Sequence, residues 1–330
     1  MNDITFLKLF GVIYLFADDI SIIISAKTYA ELQLKIDSDL RLIFDWFQKN
    51  KLVINYQKSN YMVMGCSKKD PNLLLSLGQN NLKRVNETKI LGVIFDNDLR
   101  FDNHINNICK SISNRISFLS RLRYCLPESA LNIVYKALVL PLSDYCDIAW
   151  GYTYNVHTDK LIRLQKRASK VITFGKKRDK VDPIFEKLNW NKFSDRLNFN
   201  TCKYIYKALN QLSSDYSKEF FNHIKRVNMR LGEDQLKLVI PKAKFNFLVN
   251  TIFYKGVKEW NNLPFEIRNS HSLGDFINCF KSYFKLFKKI FYSNSFILYN
   301  GPQGRTAVKL IELTIIKFKV GIPLCAHFLD

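Results

Sequence analysis

The 330-residue sequence lacks the long apolar runs that would mark it as a membrane protein. Its longest apolar stretches, such as residues 10–17 and 20–24, are far shorter than the about 20 residues that a membrane-spanning helix needs. Asp3 lies near the start, and no small-residue cleavage site follows an apolar segment, which argues against a secretory signal. We therefore expect a soluble intracellular protein with no membrane partner.

A cysteine pattern is also missing, because the seven cysteines form no C-x-x-C pair and no ligand spacing with the five histidines. This argues against a structural zinc site and predicts reduced, mostly buried thiols. The sequence has no internal repeat and no low-complexity segment. With 47% hydrophobic and 14% aromatic residues, it can form hydrophobic cores and is expected to be globular.

Positive charge is abundant but unevenly distributed. The net charge is +21, and residues 1–97 contain 12 Lys and Arg against 10 Asp and Glu. Residues 98–190 contain 16 against 9, and residues 191–330 contain 22 against 10. A basic excess in part of a chain is typical of proteins that bind nucleic acid, although Lys-rich surfaces that only maintain solubility give the same totals.

Apolar periodicity predicts an α+β protein whose strands lie within about residues 10–97. Two short Val- and Ile-rich runs, residues 12–16 and 20–24, predict a β-hairpin. Residues 29–49 have apolar side chains at three- or four-residue spacing and predict a helix. The same spacing recurs after residue 104, so the remainder is predicted to be mostly helical.

Two adjacent carboxylates, Asp18 and Asp19, lie at the predicted tip of the first hairpin. Strands fix the backbone on both sides of such a turn, and the two acids could hold hard cations. Such cations would activate a primer 3′-oxygen and hold a triphosphate leaving group. An Asp-Asp pair is also a common solvated turn, so the motif alone leaves its chemistry open.

One predicted helix, residues 159–173, has a basic stripe beside its apolar one. The basic residues are spaced i, i+3, i+4 and i+7 and therefore share one side: Arg163, Lys166, Arg167 and Lys170. Like charges at these spacings repel by about 0.2–0.5 kcal/mol per pair. A phosphate backbone would supply the missing anion, whereas a solvated helix face is the alternative.

Ordered motifs over residues 1–292 resemble the reverse transcriptases of non-LTR (LINE-type) retrotransposons, particularly the jockey-like group. The [Tyr/Phe]-Ala-Asp-Asp box of that family is matched by Phe16-Ala17-Asp18-Asp19. Further similar segments are Asn2-Asp3-Ile4, Trp46 with Asn50-Lys51-Leu52, Asn55 and Lys58, Leu91-Gly92-Val93 with Asp96, Leu99 and His104, Tyr145-Cys146-Asp147 with Trp150-Gly151, Leu164-Gln165-Lys166-Arg167-Ala168, and Trp260-Asn261-Asn262-Leu263-Pro264.

The resemblance implies an RNA-directed DNA polymerase with Mg²⁺ or Mn²⁺ on Asp18 and Asp19. Its partners would be an RNA template, a DNA primer, their RNA–DNA hybrid and a dNTP. Lys58 would lie near the incoming triphosphate, and Leu91 and Gly92 would belong to a hairpin that supports the primer end. A solvated lysine and an ordinary packed strand are the alternatives. Phe16 is expected to lie in the core. His104 is expected to lie at the surface or at the start of a helix.

The resemblance also implies a domain order. Residues 1–97 would be the C-terminal part of a reverse-transcriptase palm and 98–190 a helical thumb-like domain. Residues 191–292 would be a mostly helical C-terminal region, and 293–330 form an unassigned tail.

One part of the family pattern has no counterpart here. Members of the family carry another palm aspartate and the triphosphate-binding floor ahead of the Asn-Asp-Ile position. We find no counterpart of either in this sequence. Asp37 and Asp39 cannot replace the missing aspartate, because both lie on the helix that packs against the sheet. We therefore expect an incomplete metal site and a truncated, inactive polymerase. The alternatives are a non-catalytic nucleic-acid-binding remnant and a fragment destabilised by an exposed strand edge.

Overall fold

The computed structural model describes residues 2–64, 73–223, 236–241, 249–291 and 312–321. Contacts divide the chain into two compact units, residues 1–99 with 309–330 and residues 100–308. The predicted α+β class is confirmed, and far more of the described residues lie in helices than in strands. The finer division into palm, thumb-like and C-terminal domains stays a prediction.

The first unit contains the strands and one long helix. Its strands are β1 (Val12–Phe16), β2 (Asp19–Ala26), β3 (Val53–Ile54), β4 (Asn60–Met64), β5 (Ser76–Leu77), β6 (Asn80–Asn81), β7 (Lys83–Arg84), β8 (Glu87–Ile90), β9 (Val93–Asp96) and β10 (Glu312–Gly321). The helix α1 (Tyr29–Lys49) connects β2 to β3, and a short 3-10 helix (Asn2–Phe6) precedes β1.

The largest sheet of the first unit has a central strand from the far end of the sequence. Its strand order is β1-β2-β10-β4-β7, and β3 also pairs with β10. Strand β10 is antiparallel to both β2 and β4, with Lys319 opposite Asp19 and Glu312 opposite Ala26. The prediction that strands are confined to residues 10–97 is therefore wrong. Local periodicity contains no information about a pairing across most of the chain.

Helix α1 agrees with its prediction in both bounds and buried side. Its apolar stripe joins the strands in one core: Leu32, Ile36, Leu40, Ile43 and Phe47. The Thr28 hydroxyl accepts a hydrogen bond from the Glu31 amide at 3.2 Å, and the Glu31 carboxylate accepts one from the Lys27 amide at 3.1 Å. Capping of this kind contributes about 1 kcal/mol and fixes where the helix begins.

The second unit is helical in its described residues. Its helices are α2 (Asp102–Leu122), α3 (Glu128–Leu138), α4 (Leu140–Asp144), α5 (Asp147–Trp150), α6 (Asn155–Ile172), α7 (Val181–Lys187), α8 (Phe193–Leu209), α9 (Asp215–His223), α10 (Val257–Asn262), α11 (Phe265–Arg268) and α12 (Leu273–Phe291). A π-helical turn (Ile252–Gly256) leads into α10. The three helices predicted after residue 104 correspond to α2, α3 and α6.

Aromatic side chains form much of the core of this unit. Trp150 and Phe193 are buried and stacked, with ring centroids 5.8 Å apart. Trp260 and Phe276 are also buried, with centroids 6.2 Å apart. His104 is buried at the start of α2 with its ring edge-on to Trp150, so its predicted surface position is wrong while the helix-start position is observed.

Candidate functional site

The predicted acidic hairpin is formed by β1 and β2. Phe16 pairs with Asp19, so the connecting loop consists of Ala17 and Asp18 alone. Ala17 has a φ of +52°, a left-handed conformation that two-residue hairpin loops commonly require. Asp18 and Asp19 are both half-buried at this turn. The strands therefore hold the two adjacent carboxylates at one end of the sheet.

Phe16 does not lie in the core, contrary to expectation. Its side chain is 63% exposed, and Val12 and Tyr14 on the same face of β1 are also exposed. Successive side chains of a strand point to opposite faces. The side chains of β1 are apolar on both faces of the strand, so their pattern does not indicate which face is buried.

A buried acid from α1 holds the chain just before β1. The Asp39 side chain is fully buried, and its carboxylate oxygens accept hydrogen bonds from the Phe10 amide at 2.9 Å and the Gly11 amide at 2.8 Å. A Cβ on Gly11 would lie 2.6 Å from the Ile24 side chain, so a larger residue does not fit there. Asp39 therefore positions the start of the hairpin and is not itself part of the Asp18–Asp19 pair.

The residues around the hairpin do not complete a two-metal site. Within the described ranges, no group of three or more His, Cys, Asp and Glu side chains could hold a metal ion. The strand next to Asp19 contributes Lys319, a basic residue, at the paired position. Two-metal catalysis requires carboxylates that bridge both ions, so the described residues do not fit that group. Metal binding by Asp18 and Asp19 remains a prediction.

The other predicted polymerase residues of the first unit lie on turns. Lys58 is exposed in the turn before β4, where its amide donates to the Asn55 carbonyl at 3.1 Å. Leu91 and Gly92 form the two-residue loop between β8 and β9, with φ values of +45° and +89°. Leu91 remains 41% exposed despite this strained conformation. Leu91 and Gly92 therefore lie at a hairpin tip, and their contact with a primer end stays a prediction.

In the second unit, the four residues of the basic stripe line one concave surface of about 360 Å³. We call it the basic concavity, and its lining consists of Arg123, Arg163, Lys166, Arg167, Lys170, Val171, Gly175 and Lys177. Six of these eight residues are basic and none is acidic. The nearest acid to Gly175 is Asp179, whose carboxylate accepts a hydrogen bond from the Lys176 amide at 2.6 Å.

Local contacts hold these cations in place without neutralising them. The Lys170 ammonium donates to the Lys177 carbonyl at 2.6 Å, and the Arg167 guanidinium donates to the Ser113 hydroxyl at 3.3 Å. Arg163 donates to the Asp159 carbonyl at 3.3 Å. Among described residues, none of the four stripe residues forms a salt bridge. The concavity is therefore a surface of uncompensated positive charge.

Sequence analysis missed two members of the basic concavity. Arg123 follows the end of α2, and Lys177 lies in the loop after α6. Lys177 belongs to the basic run Lys176-Lys177-Arg178, whose position beside α6 is not indicated by any local pattern. Arg123 gave no local signal, because its position beside α6 depends on the packing of α2 against that helix.

Asp147, in one of the family-like segments, is a buried acid of the second unit. Burial raises its pKa to about 6, although the Asn200 side-chain amide donates a hydrogen bond to it at 2.8 Å. The described cysteine thiols are less buried than predicted. Of the five described cysteines Cys202 is buried, and Cys125, Cys146 and Cys279 are exposed. None of the five forms a disulfide.

Comparisons with known proteins give a distant similarity. No family model matches the sequence, and no solved structure matches it. A "Retrovirus-related Pol polyprotein from type-1 retrotransposable element R1 2" of Nasonia vitripennis is 22% identical over 143 residues, 41% of this chain and 35% of that protein. The "Probable RNA-directed DNA polymerase from transposon X-element" of Drosophila melanogaster is 22% identical over 161 residues, 48% of this chain and 18% of that protein.

These two proteins are considerably longer than the part that matches. The matched region spans about a third of the first and about a fifth of the second. The chain therefore has a distant resemblance to non-LTR retrotransposon RNA-directed DNA polymerases. Of the described helices, none is both long and apolar enough to cross a membrane.

Proposed function

We propose that this chain is part of a non-LTR retrotransposon RNA-directed DNA polymerase, and that by itself it binds nucleic acid without copying it. The observation that carries the proposal is the basic concavity, whose lining has six basic residues and no acidic one. The distant similarity to two retrotransposon proteins supports the same conclusion. In this proposal the first unit contributes the Asp18–Asp19 hairpin, and the helices of the second unit hold the nucleic acid.

The roles of individual residues follow from this assignment. Residues 1–97 would be palm and 98–190 thumb-like, followed by a C-terminal region. Asp18 and Asp19 would bind Mg²⁺ or Mn²⁺ in the complete enzyme, and Lys58 would approach a dNTP. Leu91 and Gly92 would contact the primer end. Lys and Arg on a helix face contact phosphates and not base edges, so little sequence preference is expected.

The binding proposal is tested by the salt dependence of affinity. Each phosphate contact releases counterions and contributes about −0.9 to the slope of log affinity against log salt. Replacing the four stripe residues Arg163, Lys166, Arg167 and Lys170 with Ala should flatten this slope by about 3–4. The measurement is fluorescence anisotropy on labelled nucleic acid, with the fold checked by circular dichroism.

A matched control removes the same charge elsewhere on the second unit. Four exposed lysines outside the basic concavity serve this purpose when replaced with Ala: Lys110, Lys136, Lys258 and Lys281. The control should keep the wild-type slope. An equal change in both quadruple variants would mean that net charge alone governs binding, and the stripe would then be only a solvated helix face.

The catalytic part of the proposal is tested by primer extension with Mg²⁺ or Mn²⁺. We expect no template-dependent incorporation by this chain, because only two carboxylates are grouped at the hairpin among the described residues. Binding should be nearly unchanged in Asp18→Ala. Incorporation that disappears in Asp18→Ala would contradict the expectation and would mean that another residue completes the site.

A second candidate function is a nucleic-acid-binding remnant with no metal chemistry. The lack of a third His, Cys, Asp or Glu side chain grouped with Asp18 and Asp19 among the described residues favours it. Mn²⁺ titration followed by electron paramagnetic resonance separates the two candidates. Binding that is lost in the Asp18→Ala and Asp19→Ala double variant supports a polymerase site and contradicts the remnant, for which no binding is expected.

A further inference from the structure

We propose that Phe174 is a stacking platform for an unpaired base at the basic concavity, so that this surface takes single-stranded nucleic acid. The inference rests on the proposed nucleic-acid binding and specifies which form of nucleic acid the site recognises. It is carried by three observations: the backbone conformation of Phe174, its exposed ring and its contact with Arg123.

Phe174 occupies a backbone position that normally favours glycine. Helix α6 ends at Ile172 with Thr173 as its C-cap, and the Gly175 amide donates to the Lys170 carbonyl at 2.9 Å, which closes the helix end. Phe174 lies between them with a φ of +56°. This left-handed position at a helix end is usually Gly or Asn, because a side chain there is strained. A bulky aromatic residue in such a position suggests a function that offsets the strain.

The ring of Phe174 lies beside the basic concavity, in contact with one of the residues that line it. It is 48% exposed, and the Arg123 guanidinium lies 4.5 Å from its centroid. Arg123 itself lines the basic concavity together with Lys170 and Gly175, the residues that close the helix end around Phe174. Tyr124, next to Arg123, is 85% exposed. Exposed aromatic rings therefore lie directly beside a surface of uncompensated cations.

This combination fits a single strand better than a duplex. Proteins that bind single strands combine a basic surface for the phosphates with aromatic rings on which unpaired bases stack. Base faces in a duplex are stacked on neighbouring base pairs, so an aromatic ring reaches them only by unstacking the helix, which costs a few kcal/mol.

The experiment compares three oligonucleotides of equal phosphate content: a single strand of pyrimidines, the same strand without bases, and a duplex. Wild-type protein should bind the base-bearing strand most tightly. Phe174→Leu keeps the apolar bulk and the strained position but removes the ring. It should weaken binding of the base-bearing strand by about 5- to 150-fold and leave the abasic strand and the salt slope unchanged. Phe174→Tyr should restore binding.

Phe174→Gly adds a readout that a purely structural role would not give. Glycine relieves the left-handed strain, so the melting temperature should rise while binding of the base-bearing strand falls. If Phe174 served only to pack against Arg123, the same change would lower the melting temperature.

The outcomes separate the two proposals. Equal affinity of wild-type protein and Phe174→Leu for the base-bearing strand would overturn the stacking proposal. A wild-type preference for the duplex would overturn the single-strand assignment and leave the proposed function intact. No binding of any oligonucleotide would overturn both.

Discussion

Replacing Asp39 should destabilise the first unit, because this buried carboxylate is the acceptor for two backbone amides ahead of the hairpin. Hydrogen bonds to a charged group contribute about 1.5–3 kcal/mol each, so two give an upper limit of about 6 kcal/mol. The amides of Phe10 and Gly11 are only partly buried, and water can replace part of the lost interaction. We therefore expect Asp39→Ala to lower the free energy of unfolding by about 3 kcal/mol. Asp39→Asn, which keeps one acceptor oxygen, should lose less.

Two measurements follow this change, with a control on the same helix. Urea denaturation gives the free energy of unfolding, and hydrogen exchange should accelerate specifically at the Phe10 and Gly11 amides. Asp37→Ala removes the same charge from α1, but Asp37 is exposed, and among the described residues its carboxylate accepts a hydrogen bond from the Gln33 side chain alone. Its effect should stay within about 0.5 kcal/mol. Equal effects of both variants would refute the idea that Asp39 holds the hairpin entry.

Two further predictions concern buried residues. The pKa of Asp147 is raised to about 6 from its usual 3.8, so protonation of this carboxyl stabilises the folded state relative to the unfolded one. The stability from this group is fully present below about pH 4 and is lost as pH rises through about 6, by about 3 kcal/mol in total. Urea denaturation across this range should reveal the loss, and Asp147→Asn should abolish it; an unchanged pH profile in the variant would contradict the assignment. Ile316→Ala should lower the free energy of unfolding by about 2–5 kcal/mol, because Ile316 is fully buried in the central strand β10. A change below about 0.5 kcal/mol would mean that β10 does not form part of the core.

Features set by local periodicity could be predicted from the sequence. The stripe of α1 and the β1–β2 hairpin depend on side chains a few residues apart, and both were identified with nearly correct bounds. The spacing of Asp39 in α1 also indicates from the sequence that its carboxylate is buried. It lies between Ile36 and Leu40 on the buried side of the helix, where an acid must find hydrogen-bond donors.

Features set by contacts between distant segments could not be predicted in this way. Strand β10 is rich in β-branched and aromatic residues, yet its place between β2 and β4 depends on partners near the other end of the chain. The contribution of Arg123 to the basic concavity depends on how α2 packs against α6. In both cases the sequence contains the residues, but it does not indicate which distant segment they contact.

Backbone strain by itself does not identify a functional residue in this protein, and exposure alone does not do so either. Nine described residues other than glycine have a positive φ, among them Phe101, which is buried at the start of α2. For such a residue, packing in the core can offset the strain. Leu91 and Phe174 have equally strained backbones, but their side chains are 41% and 48% exposed. Lys51, Cys146 and Gln211 are strained and exposed as well, so the surface on which each residue lies has to decide its role. Leu91 lies at the predicted primer-end hairpin and Phe174 at the basic concavity, the two surfaces for which nucleic acid is proposed as the ligand.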